Sequence, residues 1–214
     1  MILEIKNITY QPQTSNKKIL ENIDLKVKNK EIILISGKSG SGKTSLLEII
    51  GGLLSEQKGD IFWNEKKISS RQRRWLCGIV FQFPERFFIG STIGKELKIG
   101  HKLINRKMID IVLNQVGLSN INLSMPPECL SGGQQRRLAV AVQLLRDPKV
   151  LLLDEPTAGL DWSMKNDVKN LIHGLTMKKT IIIVTHEAEL FDNLSTKDFI
   201  LDKGRITSLG EISK

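Results

Sequence analysis

The sequence predicts an α/β protein with a mainly parallel sheet, an antiparallel β edge and an inserted helical segment at about 89–148. Three observations carry that prediction. The apolar runs EIILIS (31–36), VLLLD (150–154) and TIIIVT (180–185) have the length and branched content of strands buried on both faces. Each precedes a segment able to form a helix, and this alternation gives a parallel sheet covered on both sides. The two ends of the chain carry alternating strands instead, while 89–148 shows no strand signal.

The elements follow in order. ILEIKNITY (2–10) alternates apolar and polar residues, so it reads as a strand and not as a signal peptide. IDLKV (23–27) alternates in the same way. EIILIS runs into GKSGSGKT (37–44) and then into the helical TSLLEIIGGLL (44–54). GDIFWN (59–64) is a further alternating strand, and GIVF (78–81) a short apolar run. MIDIVLNQV (108–116) is helical, and the pattern breaks between Asn122 and Pro127. After VLLLD, Met164, Val168, Leu171, Ile172 and Leu175 form one helix face, with Ser163 the expected cap. EAELFDNL (187–194) is read as a helix. DFILDKGRI (198–206) is read as antiparallel strands joined by a turn. The whole chain, 1–214, is read as one domain with the helical segment inserted in the α/β core.

At 214 residues and 40% apolar content the chain can bury a substantial core. It has no run of about 18 apolar residues, so no bilayer span is expected. Cys77 and Cys129 are too few for a disulfide framework and lack metal-ligand spacing. Reduced, mostly buried thiols in a cytosolic compartment are expected. The net charge of +9 suits nucleic acid, an anionic membrane surface or a polyphosphate. The basic positions (Lys66–Lys67, the RQRR run 71–74, Arg86, Lys95, Lys98, Lys102, Arg106, Lys107) are not interleaved with aromatics at base-stacking spacing. A solvated face near a membrane partner is favoured, and no nucleic acid is expected.

Gly37, Lys38, Ser39, Gly40, Ser41, Gly42, Lys43 and Thr44 fit a phosphate-binding loop between a strand and a helix. Its glycines let successive N–H groups face phosphate oxygens, and the helix N-terminus adds positive potential. Lys43 is expected to bridge the β- and γ-phosphates of a nucleotide, and the Thr44 hydroxyl to bind Mg²⁺, with Ser45 completing the set. Asp154 and Glu155 end a buried strand, at the edge where α/β proteins bind ligands. Asp154 suits the metal. Glu155 suits polarisation of an attacking water, which needs a carboxylate near the γ-phosphate. His186, at the end of TIIIVT, can contact the γ-phosphate, and Gln82 can bind Mg²⁺ or the water. A lone His or Gln is more often structural, and both gain weight only from this company.

Ser131 and Gln134 form a capping box for a helix at 134–146. That explanation leaves Gly132 and Gly133, each costing about 1 kcal/mol against Ala in a helix, with no use inside a single chain. A second anion site that closes over another subunit's nucleotide accounts for them.

Together these motifs resemble the ATP-binding cassette (ABC) ATPase family across essentially the whole chain. GKSGSGKT is similar to the Walker A motif, VLLLDE to Walker B and LSGGQ (130–134) to the signature. Gln82 falls at the Q-loop, AGLD (158–161) at the D-loop and His186 at the H-loop. The resemblance implies a P-loop NTPase core and ATP hydrolysis with Mg²⁺. It also implies a head-to-tail dimer holding two ATPs, each between one subunit's phosphate loop and the other's Ser131, Gly132, Gly133 and Gln134, with Asp161 in the D-loop. FQFPERFF (81–88) resembles a pattern of energy-coupling-factor and cobalt-type importer ATPases, and of stand-alone cyanobacterial and plastid members. Two positions depart from the family. Pro12 stands where an adenine-stacking aromatic is usual, and Tyr10, two residues earlier on the same strand face, is the expected substitute. Trp162 replaces the Pro that often follows the D-loop Asp. The chain stops soon after its last edge strand, so no C-terminal regulatory domain is expected.

The resemblance therefore implies an ATPase subunit on the inner face of a membrane, driving a separate permease. Its rivals are a scaffold-linked assembly ATPase that does not transport, and a nucleic-acid-associated ATPase. Phe81, Phe83, Phe87 and Phe88 cluster around Gln82. Phe81 is expected in the core, while Phe83, Phe87, Phe88 and Arg86 are expected to dock the permease.

Overall fold

The alternating runs before residue 65 and the continuous apolar runs end in different sheets. The structure, a computed structural model, describes residues 2–101 and 103–211, so Lys102 lies outside the described residues. In chain order the elements are β1 (Ile2–Tyr10), β2 (Leu20–Lys28), β3 (Ile32–Ser36), α1 (Lys43–Ile50), β4 (Lys58–Trp63), β5 (Lys66–Lys67), α2 (Ser70–Leu76) and β6 (Cys77–Val80). They continue with α3 (Ile93–Glu96), α4 (Arg106–Gln115), α5 (Gly132–Leu144), β7 (Val150–Asp154), α6 (Trp162–Thr176), β8 (Thr180–Thr185), β9 (Lys197–Asp202) and β10 (Arg205–Glu211). Two compact units contain them. The first comprises Met1–Ile79, Lys149–Glu155 and Thr176–Lys214, the second Val80–Pro148 and Pro156–Leu175.

In the first unit the alternating strands pair antiparallel in a four-stranded sheet, ordered β2-β1-β4-β5. Their apolar residues, among them Leu3, Ile5, Ile23, Leu25 and Ile61, point to one core while the intervening residues face outward. The continuous runs form the middle of a six-stranded sheet ordered β10-β9-β3-β8-β7-β6. Every residue of β7 and β8 is buried. The strand β8 runs parallel to both β3 and β7. The C-terminal hairpin departs from expectation. Its strands are antiparallel to each other, yet β9 pairs parallel with β3, so the hairpin extends the parallel sheet instead of the antiparallel one. EAELFDNL is not an α-helix. Phe191 N–H bonds to the Ala188 carbonyl and Leu194 N–H to that of Phe191, so i→i+3 bonds replace the helical ladder.

Parallel pairing sets the site. Ser36 lies opposite Thr185 and Asp154 opposite Val184, so the segments following β3, β7 and β8 emerge at one carboxyl edge.

The second unit is helical. Asn105 caps α4 through Met108 N–H, 3.0 Å, and Ser131 caps α5. The cap of α6 is Asp161 and not Ser163: Asp161 Oδ1 accepts the Met164 N–H at 2.8 Å, and the helix already includes Trp162. Cys77 is buried, but Cys129 is exposed, which corrects the expectation of mostly buried thiols.

Candidate nucleotide site

The phosphate loop is shaped by close backbone approach. A Cβ on Gly37 would collide with the Leu201 carbonyl and lie 2.7 Å from Ser41 Oγ. Gly42 precedes α1 with φ 105°, where other residues are strained, and offers no side chain to cap the helix. The first N–H groups of α1 therefore remain available to an anion.

Lys43 is 7% exposed and ties the loop together. Its Nζ donates to the Gly37 carbonyl at 2.7 Å and the Lys38 carbonyl at 3.2 Å, and lies 3.2 Å from Glu155 Oε1. The other Glu155 oxygen, Oε2, accepts the His186 backbone N–H at 3.1 Å and lies 2.8 Å from His186 Nδ1. Against an ionised carboxylate Nδ1 carries the proton, which leaves Nε2 for a further partner. Glu155 reaches this position from a left-handed backbone, φ 45°, and its N–H is anchored on the Val184 carbonyl at 2.9 Å. Such a conformation costs on the order of 1–3 kcal/mol for a residue other than glycine and persists only where the surroundings over-determine it.

Asp154 is 3% exposed. Its Oδ2 accepts the Thr44 hydroxyl at 2.8 Å, while Oδ1 is buried without a hydrogen-bond partner. Burial pushes its carboxyl above the ordinary aspartate range. The Thr44 bond opposes that shift, the Glu155 charge adds to it and Lys43 opposes it. A buried, unpaired carboxylate oxygen beside a hydroxyl fits a hard divalent cation. Among the described residues no group of three or more His, Cys, Asp or Glu could hold a metal alone. That suits Mg²⁺ held by one or two protein groups, with phosphates and water supplying the rest.

The first unit thus brings together Lys43, Thr44, Asp154, Glu155 and His186. Ser45 is half-buried in the first turn of α1. Tyr10 ends β1 and packs, partly buried, against the core. Pro12 lies beyond the strand, so the two do not share a strand face as expected.

Gln82, Ser131–Gln134 and Asp161 belong to the second unit. Gln82 is half-buried just after β6. Ser131 Oγ accepts Gln134 N–H at 3.3 Å, and Gln134 Oε1 accepts Ser131 N–H at 3.0 Å, which completes the capping box. A Cβ on Gly132 would lie 3.2 Å from Leu160 Cδ2, and one on Gly133 3.4 Å from Met164 Cγ. Packing against 160–164 therefore crowds a Cβ only at Gly132, while one on Gly133 would make ordinary contact. Phe81 also departs from expectation: it lies past the end of β6, half-buried, and stacks on Phe87 at 4.7 Å.

Sequence reading missed Arg136. It is 5% exposed, donates to the Ala158 carbonyl at 2.8 Å, lies 3.5 Å from Glu85 and faces the Phe83 ring at 5.9 Å. The signal was available, since Arg136 shares the buried helix stripe of Gly133 and Val140.

The sequence model of the ABC transporter family matches residues 20–158. This chain belongs to the ABC transporter family of ATP-binding ATPases. It is similar to the energy-coupling factor transporter ATP-binding protein EcfA2 of Clostridium tetani, with 36% identity covering 100% of this chain and 80% of that protein. It is also similar to the chloroplastic ABC transporter I family member 11 of Arabidopsis thaliana, at 34% identity over 95% of this chain and 79% of the relative. Among solved structures, cbiO1 of Clostridium perfringens, part of the cbiONQ ABC transporter complex, superposes with a TM-score of 0.85. That match has 30% identity and covers 96% of this chain and 86% of the other. The ABC ATPase fold, with its mixed sheets, is the fold of these relatives.

Proposed function

We propose that this ABC ATPase hydrolyses ATP with Mg²⁺ as one subunit of a head-to-tail dimer that holds two ATPs and drives a separate membrane permease. The observation that carries the reading is Glu155, fixed in a strained conformation between Lys43 and His186, beside the unsatisfied Oδ1 of Asp154. In this reading Lys43, with the loop N–H groups and Ser45, binds the phosphates, and Tyr10 supports the adenine. Thr44 and Asp154 would hold Mg²⁺, with Gln82 added by the family pattern alone, and the ion when bound would neutralise charge on the phosphate oxygens. Glu155 orients the attacking water, with His186 Nδ1 fixing the carboxylate and Nε2 available to the γ-phosphate.

The dimer reading rests on the start of α5. Ser131 and Gly132 are exposed at the start of a 13-residue helix, an end whose positive potential suits an anion. Ser131, Gly132, Gly133, Gln134 and Asp161 would face the partner subunit's nucleotide. A permease is inferred from the relatives: cbiO1 is part of a transporter complex. Among the described residues of this chain, no helix is long and apolar enough to cross a membrane. The subunit would then sit on the cytoplasmic face of the membrane through that partner, with Phe83, Arg86, Phe87 and Phe88 nearest to it.

Glu155→Gln keeps the shape and one acceptor but removes the charge. ATP binding is expected to survive while turnover falls on the order of 10²-fold or more. The trapped protein should sediment as a dimer with ATP, and Ser131→Arg in the same background should bind ATP as a monomer. Near-normal turnover in Glu155→Gln overturns the assignment.

A further inference from the structure

A carboxylate with no role so far lies one helical turn below the phosphate loop. Glu48 is four residues after Thr44 on α1, and an i,i+4 pair shares one helix face, with side chains leaning toward the N-terminus. It thus leans toward the hydroxyl that bonds Asp154 Oδ2 at 2.8 Å. Glu48 is half-buried, and among the described residues its carboxylate makes no hydrogen bond or ion pair. Burial raises its pKa above the ordinary glutamate range, and the charge of Asp154 adds to that shift. Asp154 in turn keeps one buried oxygen without a partner. Lys43, whose charge acts on Asp154, makes its contacts with two loop carbonyls and Glu155. Two poorly solvated carboxylates that repel each other, with no ion pair to either among the described residues, favour a cation that joins them.

We propose that Glu48 is a second acidic group of the divalent-cation site, positioning the ion together with Asp154 and Thr44. The inference rests on the assignment of Mg²⁺ to Asp154 and adds a residue that the motif pattern does not contain. Glu48 acts as a positioning residue: it contributes negative potential behind the ion and tightens its binding, without contact to the reacting phosphate. Supporting groups of this kind are typically worth about 10–100-fold in metal affinity.

The test measures ATP binding by the purified chain and the thermal midpoint of the ATP complex while Mg²⁺ is titrated. Glu48→Gln, Glu48→Ala and Asp154→Asn are compared with the parent. For both Glu48 variants the Mg²⁺ concentration giving half the midpoint shift is expected to rise about tenfold or more. ATP binding in EDTA should be unchanged or tighter, because a negative charge near the phosphates has gone. A structural role alone would lower both bindings together. If Asp154→Asn loses the Mg²⁺ response while the Glu48 variants keep the parental one, the inference fails and the nucleotide-site assignment stands. If Asp154→Asn also responds like the parent, the Mg²⁺ assignment itself fails, and the role of Glu48 with it.

Discussion

At the scale of single residues, the site is held together by groups placed against their own stability. Glu155 takes a left-handed backbone and Asp154 a buried, half-satisfied carboxylate. The sequence pattern identified both residues, because two acids after four apolar positions have few structural uses beside a phosphate loop. It did not reveal the His186 Nδ1 contact or the orphan oxygen, since both depend on strands far apart in sequence meeting at one edge. Asp154 gives a prediction with a definite sign. Its carboxyl in the folded chain titrates above the ordinary aspartate value, chiefly through burial. Its contribution to stability is therefore full below that value and lost as pH rises through the folded one, so at neutral pH the ionised form opposes folding. Asp154→Asn keeps an acceptor for Thr44 and removes the charge. Its thermal midpoint in EDTA at pH 7 is expected to rise by a few degrees, while Mg²⁺ no longer adds to the stability of the ATP complex. A lower midpoint in EDTA would mean that the charge stabilises the fold, against the burial argument.

At the scale of elements, the continuous apolar runs were legible because burial on both faces leaves no polar positions to mislead. Failures came where the choice of partner is non-local or where one turn decides. The β9–β10 hairpin reads as antiparallel from its own residues, but its neighbour in the sheet is β3, which lies over 160 residues earlier in the chain. The cap of α6 falls on Asp161 because a carboxylate there reaches the Met164 N–H, whereas Ser163 already lies inside the helix. Arg136 is the sharpest omission: the QQRR run looks uniformly polar, yet the helix stripe buries one arginine and leaves its neighbour Arg137 half-exposed, paired with Asp167. In the second unit Arg136 links α5 to the Ala158 carbonyl and to Glu85. Arg136→Met retains volume but leaves that carbonyl without its charged donor. A loss of about 2 kcal/mol is expected, since hydrogen bonds to charged groups contribute roughly 1.5–3 kcal/mol. The midpoint should fall by about 4–8 °C in differential scanning calorimetry. An unchanged or higher midpoint would show that the arginine's desolvation outweighs its bonds, as replaced buried charges sometimes do.

At the scale of the whole molecule, the proposed membrane partner needs a surface on which to dock. The basic residues are spread along the length of the sequence. The segment after β6 is more selective. Phe83 is held against the Arg86 guanidinium at 4.7 Å, Phe88 is half-buried and Phe81 lies under Phe87. Phe87 and Ile89 remain 55% and 79% exposed, with Arg86 exposed between Glu85 and Phe87. The exposed aromatic tip of a stacked pair, with charge beside it, is the composition of an interface anchor. Of the four phenylalanines, Phe87 is therefore the one whose removal separates docking from folding. Phe87→Ala forfeits the stacking, about 0.5–1.5 kcal/mol, so the isolated subunit should stay folded and bind ATP as the parent does. In detergent extracts the tagged parent is expected to retain a membrane protein that Phe87→Ala and Arg86→Glu lose at matched expression. If Phe87→Ala unfolds the isolated subunit, the ring belongs to the core of the second unit. If both variants retain the membrane protein, the permease binds elsewhere on this chain.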